Sequence, residues 1–145
     1  MEHKTNKTLR YVISLTQDLY QDDVSSAILM LLLELGFRTS ADGFWYLREA
    51  ILMRCNNPDT RVSAIYDEIV RTSKSQVTKG QVEQAILTLI KTAWASRDKE
   101  QWDLFFSEEK MRSSGRPSNK EFISEIGCIM ELWRSCRKEG CYGIK

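Results

Sequence analysis

Gln81, Gln84, Leu87, Thr88 and Lys91 recur at steps of three and four residues within VTKGQVEQAILTLIKTAW, Val77 to Trp94. At about 100° per residue they share one side of a helix, opposite an apolar stripe of Val82, Ala85, Ile86, Leu89 and Ala93. Amide and hydroxyl side chains donate and accept hydrogen bonds without carrying charge. Such a face suits base edges in a DNA groove, or the surface of another protein. Glutamine pairs with the N6 and N7 positions of adenine, and an outward Leu87 suits a thymine methyl. Lys74, Ser75, Thr78, Lys79 and Lys91 bring ammonium and hydroxyl groups of the kind that hold phosphates.

The chain is poorly supplied with catalytic chemistry. It has no glycine-rich phosphate loop, no GxSxG and no HExxH, and His3, the one imidazole, stands in an expected tail. The acidic pairs Asp22-Asp23 and Glu108-Glu109 fall at cap or loop positions, where capping or solvation accounts for them. Cys55, Cys128, Cys136 and Cys141 include no CxxC, so reduced thiols are expected, with Cys136 and Cys141 exposed. A non-enzyme without cofactor or metal is the expectation.

The elements that must carry the polar face are legible. Thr78 with Gln81 reads as a capping box, and Val77 with Val82 as a hydrophobic staple, which starts a helix at Lys79. Before it, a helix near Pro58 is expected to run into VSAIYDEIV, with a break near Ser63, giving two helices joined by a turn. Upstream, Asp22 or Asp23 caps a helix from Val24 to Leu35 closed by Gly36. GFWYLREAILMRC makes another with Phe44, Leu47, Ile51 and Trp45 inward. Residues 9–20 suit either period and are read as a helix. Downstream, a short capped segment from Asp98 to Phe106 offers Trp102, Phe105 and Phe106 to the core. A second capping box, Ser118 with Glu121, opens a long last helix through Trp133. The expected fold is therefore all-α, one compact bundle of five to seven helices, with residues 1–23 an extension, 24–140 the domain and 141–145 a tail.

Composition agrees: of 145 residues, 42% are hydrophobic and 28% charged, as in an ordinary soluble protein. The longest apolar run, Ala27 to Leu33, falls well short of the roughly 18 residues a bilayer requires, so a cytoplasmic location without membrane contact is expected. Net charge is +1, but it is uneven: −3 over residues 1–70, +4 over 71–120 and zero over 121–145. The basic part contains the polar helix.

GFWYLREAI (Gly43 to Ile51), IYDEI (Ile65 to Ile69), VEQAI and TAW (Val82 to Ile86, Thr92 to Trp94) and RPSNKEFI (Arg116 to Ile123) occur in order and at spacings that resemble the C-terminal effector domain of the stage zero sporulation protein A family. The resemblance covers about residues 24 to 135. It implies a sporulation transcription factor that binds double-stranded DNA through a helix-turn-helix, often as two copies on adjacent boxes. Carried over by position, the helix from Lys79 is the recognition helix, with Gln81, Glu83 and Gln84 at base-reading places; Arg116 joins Lys74, Ser75, Thr78, Lys79 and Lys91 as an expected phosphate holder. Where the family typically has arginines this chain has Gln81, Gln84 and Leu87, so its DNA box is expected to differ. About two extra residues lengthen the turn around Ser73 to Val77. Only about 23 residues precede the matched region, too few for the family's receiver domain. Control is then expected through abundance, self-association or a partner such as RNA polymerase or another regulator. The competing reading is a protein-interaction module that kept the fold and lost DNA binding.

Overall fold

The computed structural model describes residues 2–19, 23–107 and 115–138. Within them lie seven helices and no strand: α1 (Glu2–Leu15), α2 (Val24–Glu34), α3 (Gly43–Asn56), α4 (Val62–Thr72), α5 (Lys79–Ala95), α6 (Lys99–Asp103) and α7 (Asn119–Lys138). The all-α expectation holds.

α3 is the hub, packed against α7, α5, α4 and α2. It bears the close approach of α5 because position 43 has no side chain. A Cβ there would sit 2.6 Å from the Ala85 carbonyl oxygen. Ahead of it, Asp23 caps α2 by accepting from the Ser26 amide at 3.1 Å. Gly36, at φ 97°, then takes the left-handed conformation that lets the chain leave α2. Of residues 9–20, read as a helix, 9–15 are helical within α1 and 16–19 turn away from it, and α1 packs on α7 and α2. The Trp133 indole N–H donates to Thr16 Oγ1 at 2.8 Å, and the Arg137 guanidinium donates to the Thr16 and Leu19 carbonyls past the end of α1.

Trp102 is fully buried, as are Phe105 and Phe106. Its indole N–H donates to the Leu35 carbonyl at 3.0 Å, and its ring meets Phe37, Trp94, Phe106 and Phe122. That cluster ties the short α6 to α5 and α7, which a five-residue helix needs because it has little stability of its own.

Four expectations are corrected. Trp45 is half exposed rather than inward, since Phe44, Leu47 and Ile51 already fill the buried side of α3, and its ring stands edge-on to Phe44 with Arg48 over it. α4 starts at Val62, not near Pro58, and runs unbroken through Ser63. Pro58 instead occupies a turn closed by the Thr60 amide on the Asn57 carbonyl at 3.0 Å. Cys136 is buried while Cys128 is exposed, because α7 turns position 136 toward the core. Burial pushes the Cys55 thiol up, away from thiolate reactivity. The His3 side chain, Glu108, Glu109 and Cys141 lie outside the described residues.

Candidate nucleic-acid interface

α5 begins as its sequence dictates. Thr78 Oγ1 accepts from the Gln81 amide at 3.1 Å, and Gln81 Oε1 accepts from the Thr78 amide at 2.9 Å. Val77 packs against the core, and Val82 is fully buried. Val82, Ile86, Leu89, Ile90 and Ala93 are buried, which turns the opposite side outward. Ile90 belongs to the buried set although the wheel left it out, and Ala85 is half-buried.

The face read from the sequence divides into a crest and two flanks. Gln81, Gln84, Thr88 and Lys91 are exposed along the crest. Gln84 Nε2 donates to Thr88 Oγ1 at 3.3 Å, a long solvent-facing bond that is cheap to exchange. Gln81 spends its carbonyl oxygen on the cap and keeps its amide N–H groups for an outside acceptor.

On one flank, Glu83 and Leu87 line a groove of about 510 Å³ with Tyr66 and Ser63 of α4, Lys79, and Arg116, Asn119 and Lys120 at the start of α7. Leu87 is therefore half-buried, not exposed as expected, because α4 and α7 stand beside it. Asn119 Nδ2 donates to the Tyr66 hydroxyl at 3.1 Å and to the Glu83 carbonyl at 3.0 Å, which joins α7 to α4 and α5. Burial raises the Tyr66 phenol's pKa against the lowering effect of that bond, so Tyr66 stays a neutral acceptor. On the other flank, Thr88 and Thr92 line a groove of about 460 Å³ with Arg38, Ala41, Asp42 and Gly43.

Of the expected phosphate holders, Lys74, Ser75, Thr78 and Lys91 are exposed, and Arg116 is half-buried in the first groove. Lys79 is committed to α4: its ammonium lies 3.2 Å from Asp67 and donates to Ser63 Oγ at 2.7 Å. An exposed pair of this kind contributes at most about 1 kcal/mol, so its effect is to orient more than to stabilise. The roles of Asp67, Ser63 and Asn119 escaped the sequence reading because their partners sit on other helices, out of reach of any i,i+4 pattern. Lys120 lay in view, inside RPSNKEFI, but only as part of a signature.

No helix among the described residues is long and apolar enough to cross a membrane. No solved structure matches the chain. A family model described as "Sporulation initiation factor Spo0A C terminal" matches residues 28–129, a span running from α2 into α7 and including the crest and both flanks. The chain therefore belongs to the Spo0A C-terminal family, a family of DNA-binding regulatory domains.

Proposed function

We propose that this protein is a sequence-selective transcriptional regulator that lays α5 in the major groove, with α4 bracing it as the first helix of a helix-turn-helix. The observation that carries this reading is the exposed crest of Gln81, Gln84, Thr88 and Lys91, backed by a buried stripe and started at a rigid cap. Gln84 and Thr88 read base edges from the centre of the crest, and Gln81 donates from its amide nitrogen. Glu83 and Leu87 meet bases from the flank, Glu83 as an acceptor for a cytosine amino group. Lys74, Ser75, Thr78 and Lys91 hold phosphates, and Arg116 does so from the flank. Lys79 reaches a phosphate only by exchanging Asp67 for it, so it serves first to set the angle between α4 and α5.

The reading is of a non-catalytic regulator acting on double-stranded DNA. Two copies on adjacent boxes, and contact with RNA polymerase or another regulator, belong to the same proposal. Selection from a random duplex library at low and moderate salt tests it. Enrichment of a common sequence, with affinity that falls as salt rises, is the expected result. No retention at low salt would favour the interaction module, for which the half-buried Leu87 and the arginine-free crest are suited.

A further inference from the structure

An α-helix with its side chains is about 10–12 Å across and the major groove is about 12 Å wide. A helix lying there fills the groove, and its flanks face the two phosphate backbones. The flanks of α5 are unequal. Among the described residues, Arg38 is the one cation lining the Thr88 groove, which also contains Asp42. The Leu87 groove is lined by Lys79, Arg116 and Lys120, with Glu83 as the acid among its lining residues.

Within that groove the cations are not equivalent. Lys79 is held by Asp67 and Ser63. Lys120 is exposed, one residue into α7, and the helix start that carries it is fixed in place. Asn119 pins it to Tyr66 and to the Glu83 carbonyl of α5. The neighbouring carboxylate is engaged in the helix cap: Glu121 Oε1 accepts from the Ser118 amide at 2.8 Å while Ser118 Oγ accepts from the Glu121 amide at 3.1 Å. An exposed lysine carried on a helix start that is tied to α5, and lining the same groove as Arg116, meets the demand of a backbone phosphate.

We propose that Lys120, together with Arg116, forms a phosphate-binding subsite at the start of α7 that grips one DNA strand outside the base-reading contacts. This rests on α5 occupying the major groove. The subsite supplies charge that the arginine-free crest lacks, and it adds affinity without sequence preference.

The test uses the full chain, a duplex selected from the random library, and a scrambled duplex of equal length, titrated across a salt series. Lys120→Gln is expected to weaken both duplexes by the same factor, about threefold to tenfold, and to make the slope of log affinity against log salt shallower by about 0.9. Lys120→Arg is expected to retain both, and phosphate-ethylation interference on the selected duplex should lose one position in Lys120→Gln. An unchanged affinity and slope in Lys120→Gln would overturn the subsite while leaving DNA binding intact. A change confined to the preference between the two duplexes would overturn it as well, by making Lys120 a base reader. Failure of the unmodified chain to bind either duplex at low salt would remove the DNA reading itself, and the subsite with it. Lys120 is solvent-exposed, so an unchanged melting curve distinguishes lost contact from lost fold.

Discussion

Gln84 and Lys91 stand two turns apart on the same crest, yet they answer to different forces. An amide discriminates by the geometry of its donor and acceptor, whereas an ammonium responds to phosphate charge whatever the base. Gln84→Ala is therefore expected to lower discrimination at one base pair by about 1–3 kcal/mol, while Lys91→Ala weakens all duplexes alike. Competition titrations with single-base variants of the selected site separate the two. Equal losses on every duplex from both substitutions would take Gln84 out of the reading role. Asp23 gives a pH signature of the same scale. Its carboxylate is held below the ordinary value of about 3.8 by hydrogen bonds from the Ser26 hydroxyl and amide. A depressed native pKa means that the cap stabilises fully above the ordinary value and is lost as pH falls through the native one. The gap in denaturation midpoint between the native chain and Asp23→Ala is expected to be open at neutral pH and to close as pH falls below the ordinary carboxylate value of about 3.8. A gap that persists in acid would show that the carboxylate charge is not what caps α2.

Among the elements, the contact of α3 with α5 decides where the crest points. Position 43 tolerates no Cβ, because the atom it would meet is a backbone carbonyl that cannot rotate away. Gly43→Ala is expected to destabilise the fold by about 1–3 kcal/mol, or to push α5 outward and weaken DNA binding at unchanged salt slope. Urea unfolding alongside duplex titration measures both, and native values in both would mean that the two helices have slack. The sequence holds the start of α5 in full, since Thr78, Gln81, Val77 and Val82 are local and act within one turn. It does not hold the approach of Gly43 to Ala85, 42 positions away, or the pairing of Lys79 with Asp67.

At the scale of the molecule, α1 is joined to the core through hydrogen bonds as well as apolar burial. Leu9 and Val12 are buried, and Thr16 both accepts from the Trp133 indole and presents its carbonyl to Arg137. Thr16→Val keeps the volume but leaves a buried indole N–H without its acceptor. The expected cost is about 1–3 kcal/mol, read as a melting temperature lower by roughly 3–10 °C, with faster hydrogen exchange in α1. A native melting curve would mean that water or another acceptor replaces Thr16.

The local code by itself determined the helical class, the ends of α2 and α5, the start of α7, the inward stripes and the polar side of α5, because capping and 3.6-residue periodicity act over a few residues. Only the packed structure decided that this polar side splits into a crest and two flanks. It turned Leu87 into a groove and Trp45 out of the core, spent Lys79 on α4, and brought Arg116 and Lys120 beside α5. Those outcomes depend on which helices become neighbours, and proximity between residues far apart in the chain is set by how side-chain volumes fill a common core.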